Sequence, residues 1–250
     1  MPPILDRTPM PEQDPKVRAG NFNEVNLGYT LEMAQREASR CLNCKVPQCR
    51  EGCPVQVLIP QFIHALTQGD LAKAYETITH TNNLPAICGR VCPQENQCEQ
   101  LCILGRKHEP VAIGRLERFV ADWAMQHNVH SDKPDHRNGK KVACVGSGPA
   151  SLSCAADLAM MGYDVTIFEA FHRPGGVLVY GIPEFRLPKD LVAQELEGLR
   201  EKGVRFETDV VVGHTVDVDE LLQEEGYSAV FLGNGAGLPI FMNIPGETLN

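Results

Sequence analysis

The sequence has 250 residues, of which 43% are hydrophobic and 22% are charged, and its formal net charge is -9 at pH 7. This composition is typical of a soluble globular protein, and the length allows one large domain or two ordinary ones. The negative charge argues against a general nucleic-acid surface. The first residues show no secretory signal, and no apolar run could span a membrane. We therefore expect a cytoplasmic protein without a nucleic-acid or membrane partner.

The first half of the chain has the pattern of a helical domain. Residues 1–20 are rich in proline and charge and predict an extended arm. Gly69 is expected to end one helix and Asp70 to cap the next, which makes a helical hairpin. Apolar residues at helical spacing, or capping residues, mark three segments: 30–41, 59–82 and 112–128. An all-helical domain is therefore expected over residues 21–128.

Eight of the ten cysteines fall into two groups in this region. The groups are Cys41, Cys44, Cys49 and Cys53, and then Cys88, Cys92, Cys98 and Cys102. The first group, with spacings of x2, x4 and x3 and a proline after Cys53, is similar to the bacterial ferredoxin run. In that run the fourth cysteine ligates a different cluster from the first three. The pattern thus indicates two clusters, and eight thiols could hold two 4Fe-4S clusters.

Zinc is the main alternative for these cysteines. Zinc-ribbon sites usually combine two C-x2-C pairs, whereas only Cys41 and Cys44 have that spacing here. Basic residues near the thiols would stabilise an anionic cluster and tune its potential, or would form an ordinary solvated surface. They are Arg40, Lys45, Arg50, Arg90, Arg106 and Lys107. The remaining cysteines, Cys144 and Cys154, are expected to be buried small apolar residues.

The second half of the chain changes to the pattern of a nucleotide-binding fold. Residues 129–139 are polar, contain proline and glycine, and predict a linker. A short apolar strand at 141–145, a glycine turn, a helix ending at Gly162 and a second strand at 164–168 follow. Strand, turn, helix and strand in this order indicate a Rossmann-like α/β domain over residues 140–250.

The glycine turn matches the dinucleotide fingerprint G-x-G-x-x-G/A with serine in the third position. Gly146 would make the tight turn, Gly148 would admit a pyrophosphate, and Ser151 is small enough for close packing of helix on strand. Glu169 stands where a carboxylate would bind an adenosine ribose. The fingerprint alone does not separate FAD from NAD. Paired glycines in the segment 173–176 favour the longer flavin cofactor.

Taken together, these segments resemble one family of oxidoreductase subunits. The segments are RCLNCKVPQCREGCPV, CGRVCPQENQCEQLC, VACVGSGPASLSCAADLAMMGYDVTIFEA, PGGVLVYGIPEFRLPK and FLGNGAGLPIFMNIPGE. The chain is similar to the small subunit of NADPH-dependent glutamate synthase, to the large subunit of NADH-dependent reduced ferredoxin:NADP oxidoreductase and to the N-terminal part of dihydropyrimidine dehydrogenase. The resemblance covers nearly the whole chain.

The resemblance implies how the cluster ligands are shared. One 4Fe-4S cluster would be held by Cys41, Cys44, Cys49 and Cys102. The other would be held by Cys53, Cys92, Cys98 and the carboxylate of Glu117, which leaves Cys88 free although spacing alone nominates it. A carboxylate is a harder ligand than a thiolate, so the two clusters are expected to differ in potential.

The resemblance also implies an FAD site. Its residues would be Val91, Gly146, Ser147, Gly148, Pro149, Ala150, Ser151, Glu169, Gly176, Val177, Arg186 and Val212. No residue of the chain itself is expected to act as a catalytic acid, base or nucleophile, so the chemistry must come from the cofactors.

The implied function is that of an electron-input subunit. Electrons from NAD(P)H would pass through FAD and two 4Fe-4S clusters to a catalytic or electron-accepting partner subunit in a hetero-oligomer. The alternatives are an electron-bifurcating ferredoxin:NADP oxidoreductase subunit and a non-catalytic electron-transfer module. Family members continue for roughly two hundred further residues, so the Rossmann-like domain is expected to be incomplete at its C-terminus and the NAD(P)H domain to be absent from this chain.

Overall fold

The computed structural model describes residues 4–129, 134–237 and 240–247. In the first of these ranges the regular elements are helices. They are α1 (Pro15–Arg18), α2 (Leu31–Ala38), α3 (Gln48–Glu51), α4 (Ile59–Thr67), α5 (Leu71–Thr79), α6 (Pro85–Val91) and α7 (Ile113–Gln126), with short 3-10 turns at Gln94–Asn96 and Ile103–Arg106. The predicted helices at 30–41, 59–82 and 112–128 are confirmed as α2, as the α4–α5 hairpin and as α7.

The hairpin forms for the reasons that the sequence suggested. Gly69 has a φ of 77°, in the left-handed region that commonly ends helices. The Asp70 side chain then accepts a hydrogen bond from the backbone N–H of Lys73 at 2.9 Å and caps α5. In the same way Thr30 caps α2 by accepting from the N–H of Met33. These local signals set the helix boundaries.

The helical half has its own apolar core. The largest fully buried side chains in it come from the hairpin and from α7, which crosses it: Ile59, Phe62, Ile63, Leu66, Ile78 and Leu116. Five of the eight clustered cysteines pack against this core from the loops, namely Cys41, Cys49, Cys53, Cys98 and Cys102. The hairpin and α7 therefore form the rigid base on which the cysteine loops lie.

The N-terminal arm differs from the expected extended segment. Asp14 accepts a hydrogen bond from the backbone N–H of Lys16, and Pro15 occupies the first helical position, so one helical turn forms at α1. Glu12 makes an isolated antiparallel bridge with Asn26, and Thr8 is buried. The arm is thus packed against the helical half around Thr8, whereas residues 14–20 are exposed.

The second half contains a parallel sheet with helices. Its strands are β1 (Lys141–Val145), β2 (Asp164–Phe168), β3 (Arg205–Glu207) and β4 (Tyr227–Leu232), in the order β3-β2-β1-β4 with every pair parallel. Its helices are α8 (Pro149–Met160), α9 (Val177–Tyr180), α10 (Lys189–Glu201) and α11 (Val218–Gln223). The predicted strand, turn, helix and strand unit is confirmed as β1, α8 and β2.

A second apolar core is shared by the two halves. Leu84, Ala86 and Ile87 at the start of α6 are buried in the same cluster as residues of β1, β2, α8 and α10. Ala121 of α7 also belongs to it. Helix α6 carries Cys88 and ends immediately before Cys92. It therefore lies against the nucleotide-binding fold. Part of the predicted linker, residues 130–133, lies outside the described residues. Within the described ranges, no helix is both long and apolar enough to cross a lipid bilayer.

A carboxylate from the second half reaches the first at this boundary. Glu195 of α10 accepts a hydrogen bond from the backbone N–H of Ala86, in the first turn of α6, at 3.1 Å. Burial raises the pKa of Glu195 from its ordinary value of 4.5 to about 7, although this hydrogen bond and the nearby Lys202 act in the opposite direction. A raised pKa means that the folded protein binds a proton more tightly than the unfolded chain does. The stability contributed by this proton is therefore full below pH 4.5 and is lost as the pH rises to about 7.

We expect Glu195→Gln to stabilise the protein at pH 8 and to have little effect at pH 5. Glutamine keeps the acceptor for Ala86 but carries no charge to bury, so the cost that wild type incurs at high pH disappears. Thermal unfolding at the two pH values measures this effect. The matched control is Glu197→Gln on the same helix, where the side chain is 61% exposed. A variant less stable than wild type at pH 8 would contradict the expectation.

Candidate metal centre and nucleotide site

Four cysteines of the first predicted ligand set surround one cavity. Cys41, Cys44, Cys49 and Cys102 line it together with apolar side chains that include Ile59, Ile63, Val111 and Ile113. Burial, followed by the neighbouring thiols of Cys102 and Cys41, raises the pKa of Cys49 to about 12. Such thiols favour the protonated form until a metal replaces the proton, because metal binding requires the thiolate. The structure therefore brings this whole set together.

Local backbone geometry explains how two distant loops meet at this cavity. Cys41 follows α2 directly, with its N–H donating to the carbonyl of Ala38 at 3.0 Å, and α3 presents Cys49. A Cβ on Gly52 would lie 2.5 Å from the carbonyl oxygen of Gln97. Only glycine allows this approach, so the first cysteine loop rests directly on the backbone of the second.

The second predicted set is also brought together. The pKa of the Cys98 thiol is raised by burial and then by the neighbouring charges of Glu99, Glu117 and Cys53. Burial, followed by the charge of Cys92, raises the pKa of Glu117 from 4.5 to about 8. These mutual effects place Cys53, Cys92, Cys98 and Glu117 within one neighbourhood. Glu117 is buried on α7 and faces the cysteine loop.

Cys88 lies beside the same set. Its thiol hydrogen-bonds to that of Cys92 and lowers the pKa of Cys92 to about 7. Its sulfur also lies 3.5 Å from Oδ1 of Asn82. The pKa of Cys88 itself is raised, by this contact with Cys92 and then by burial. Both candidates for the eighth ligand, Cys88 and Glu117, are therefore close to Cys92.

Asn82 is a site residue that the sequence did not indicate. Its side-chain amide donates to Oε1 of Glu117 at 2.6 Å, and its Oδ1 accepts from the backbone N–H of Leu84 at 3.0 Å. Asparagine before a helix start is typical of a turn, and this was the available signal. The contact with Glu117 orients the carboxylate towards the cysteines, and it depends on the packing of α6 against α7.

The donor chemistry fits iron-sulfur clusters. Within the described ranges, no three His, Cys, Asp or Glu side chains converge as the ligands of a single metal ion. In a cluster each thiolate binds its own iron, so the thiols surround a volume and do not converge on a point. Nε of Arg50, in the loop between Cys49 and Cys53, is buried and has no hydrogen-bond partner among the described residues. A cluster sulfur would supply an acceptor for such a donor.

Two of the basic residues near the thiols are buried in ion pairs. Arg40 pairs with Glu37 at 2.6 Å, and both side chains are fully buried. Arg90 pairs with Glu24 at 2.8 Å and with Asp122 at 2.7 Å. These arginines therefore brace the fold, because their charges are compensated. Lys45, Arg106 and Lys107 remain exposed.

The predicted nucleotide turn lies at the carboxyl end of the central strand β1. Gly146 has a φ of 86°, and a Cβ there would lie 2.7 Å from the carbonyl oxygen of Gly233 after β4. A Cβ on Gly148, in contrast, would meet no atom within 4 Å. Pro149 and Ala150 begin α8, and Ser151 is fully buried where the helix packs on the strand. The open space at Gly148 is where the fingerprint requires room for a pyrophosphate.

Glu169 follows β2 and is buried against this turn. Its Oε2 accepts hydrogen bonds from both the N–H, at 2.9 Å, and the hydroxyl of Ser147. Its Oε1 accepts from the backbone N–H of Phe171 at 2.9 Å. The Ser147 hydroxyl in turn accepts from the N–H of Gly175 at 2.7 Å. The carboxylate expected at a ribose thus also holds the turn in shape.

The other predicted flavin residues lie at different distances from the turn. Gly176 contacts it directly, since a Cβ there would lie 3.0 Å from Cα of Gly148, and Val177 follows as the exposed start of α9. Val91 packs against the core of the nucleotide fold. Val212 lies two residues after Val210, whose N–H donates to the carbonyl of Glu169. Arg186 is exposed on the loop before α10.

Profiles of two known families match segments in the two halves of the chain. A family profile described as dihydropyrimidine dehydrogenase domain II, 4Fe-4S cluster, matches residues 18–129. A profile described as an NAD(P)-binding Rossmann-like domain matches residues 144–181. The first match contains the eight clustered cysteines and Glu117, and the second contains the glycine turn and Glu169.

Curated relatives match nearly the whole chain. The glutamate synthase [NADPH] small chain of Escherichia coli is 37% identical over 92% of this chain and 49% of its own length. That of Azospirillum brasilense is 35% identical over 96% of this chain and 50% of its own length. The NAD-dependent dihydropyrimidine dehydrogenase subunit PreT of Escherichia coli is 38% identical over 88% and 54%. The chain is homologous to these oxidoreductase subunits. It spans about half the length of these homologues.

The first prediction for the site concerns the eighth cluster ligand. We expect Cys88→Ser to keep the iron content of wild type, whereas Glu117→Gln loses about half of the iron because an amide is a poor iron ligand. Glutamine can still accept the hydrogen bond from Asn82, so the fold is kept. Iron and sulfide analysis of anaerobically purified protein measures both. Loss of iron in Cys88→Ser with full retention in Glu117→Gln would assign the ligand to Cys88.

The second prediction concerns the nucleotide turn. Gly148 has an ordinary negative φ of -69° and open space around it, so alanine fits without strain. The added methyl group would occupy the space required by a pyrophosphate. Gly148→Ala should therefore fold as stably as wild type, keep its iron and bind FAD at least tenfold more weakly, an effect of about 1.4 kcal/mol. FAD titration followed by fluorescence measures this, and unchanged affinity would exclude Gly148 from the cofactor site.

Proposed function

We propose that this chain is the electron-input portion of a flavin- and iron-sulfur-dependent oxidoreductase. It takes electrons from NAD(P)H through FAD and passes them through two 4Fe-4S clusters to a partner subunit, as in a glutamate synthase small subunit. One homologue is named as an NADPH-dependent glutamate synthase small chain, and another as an NAD-dependent dihydropyrimidine dehydrogenase subunit. We therefore name NAD(P)H as the electron donor, without a choice between NADH and NADPH.

The observation that carries this proposal is the position of the second ligand set. Cys88 and Val91 of α6 pack against the core of the nucleotide fold. Cys41, Cys49 and Cys102 of the first set pack against the core of the helical half, and so do Cys53 and Cys98 of the second set. Cys92 of the second set directly follows Val91, so we infer that the second cluster would be the one nearer to the nucleotide fold. This order suits a relay in which electrons leave the nucleotide fold through the second set and reach the first set afterwards.

The residues of the chain would hold the two kinds of cofactor in different ways. The turn from Gly146 to Ser151 and the segment at Gly176 would hold the FAD pyrophosphate through backbone N–H groups at the start of α8. The two ligand sets would each hold a cluster in a partly apolar cavity, which limits solvent access and so affects the potential. Bound flavin would convert a two-electron hydride transfer into the single-electron transfers that clusters carry.

Quantifying the cofactors on one anaerobic sample tests the proposal. About eight irons and eight sulfides per chain, with one FAD, are expected for two 4Fe-4S clusters and one flavin. Zinc without iron would refute the cluster assignment. Oxidation of NAD(P)H with an artificial acceptor should then be measured with the chain alone and with its co-purifying partner. Clusters without turnover in either case would favour an electron-transfer module over an enzyme subunit.

A further inference from the structure

Four charged side chains form a closed network next to the second ligand set, in which two arginines are buried and two acids, Glu24 and Asp122, are 19% and 24% exposed. Arg90 donates to Oε1 of Glu24 at 2.8 Å and to both oxygens of Asp122 at 2.7 and 2.9 Å. Arg118 completes the network, with 3.1 Å to Glu24 and 3.3 Å to Asp122. Both arginine side chains are only 5% exposed. We call these residues the four-charge network. Its two positive and two negative charges compensate one another.

Two members of the network adjoin predicted ligands of the second cluster. Arg90 lies two residues before Cys92, and Arg118 directly follows Glu117. The helices that carry them are in backbone contact here, since a Cβ on Gly89 would lie 2.6 Å from the backbone nitrogen of Arg118. The four-charge network therefore fixes how α6 and α7 cross, and with it the separation of the ligands that each helix supplies.

Glu24 is the member that belongs to neither helix. The segment that carries it is held on both sides: Arg118 donates to the carbonyl of Asn26 at 2.9 Å, and Val25 donates its N–H to the carbonyl of Phe185 at 3.0 Å. Phe185 precedes Arg186 on the loop predicted to contact FAD. One short segment thus connects the crossing of α6 and α7 with the flavin loop.

We propose that Glu24 is a positioning residue that fixes the second cluster relative to the flavin loop and balances the charge beside that cluster. The inference rests on the proposed function, because it requires two clusters in the holoprotein. Removing the Glu24 charge leaves one uncompensated arginine next to the second ligand set. A net positive charge stabilises the reduced, more negative cluster. Removing the Glu24 carboxylate also leaves the two buried arginines with Asp122 as their one remaining ion-pair partner in the network, which loosens the crossing of α6 and α7.

The test is Glu24→Gln in the anaerobic holoprotein, with the first cluster as an internal control. We expect the midpoint potential of the second cluster to become more positive in an EPR-monitored redox titration. We also expect the second cluster to lose iron to a ferrous chelator roughly 10- to 100-fold faster, as for other residues that orient metal ligands. The first cluster should keep its potential and its rate of iron loss. Glu24→Asp retains the charge, so its potential should stay at the wild-type value.

Matched variants separate this role from general stability. Glu32→Gln removes an equally negative but exposed side chain nearby and should change neither cluster. Asp122→Asn removes the other acid of the four-charge network and should shift the second cluster in the same direction as Glu24→Gln. An unchanged second cluster in Glu24→Gln, or equal effects on both clusters, would overturn the inference. Wild-type protein with only one cluster would instead overturn the proposed function.

Discussion

The buried carboxylate of Glu37 connects the chain segments that enclose the first ligand set. It accepts hydrogen bonds from the N–H groups of Thr8, at 2.7 Å, and Ala112, at 2.8 Å, and pairs with Arg40. Burial alone would raise the pKa of Glu37, but these hydrogen bonds outweigh burial and lower it. The two terminal nitrogens of Arg40 also donate to the carbonyls of Leu5, Glu109 and Pro110. The arm, α2 and the start of α7 therefore depend on one pair, immediately before Cys41.

The second ligand set is supported by the same physical principle with different residues. Its four-charge network also joins an N-terminal segment, that of Glu24, to helices that carry ligands, and its two buried arginines are likewise compensated. A buried ion pair adds little net stability but is costly to break from one side, so it favours one arrangement strongly. Loops rich in cysteine and glycine have few apolar side chains with which to fix their own positions. The Glu37–Arg40 pair and the four-charge network supply that restraint.

Local chemistry made the helical segments and the first βαβ unit predictable. Thr30, Gly69 and Asp70 set helix boundaries through contacts within a few residues, and the glycine turn between β1 and α8 carries its own signature. The cysteine groups were visible from spacing, and the resemblance supplied Glu117. The two sets of ion pairs and Asn82 could not be predicted, because their partners are brought close only by tertiary packing. Strand β3 has only three residues and so carries no usable pattern, whereas the buried Leu191, Val192, Leu196 and Leu199 of α10 do recur at helical spacing, a signal that the sequence analysis left unused.

The N-terminal segment that carries Thr8 and Val25 is synthesised before its partners. Thr8 donates its N–H to Glu37, which also accepts from Ala112, and Val25 pairs with Phe185 of the second half. These contacts span long stretches of sequence, and such contacts form late in folding because the loop-closure entropy must first be overcome. The segment around Val25 can therefore complete its contacts only after Phe185 has emerged from the ribosome.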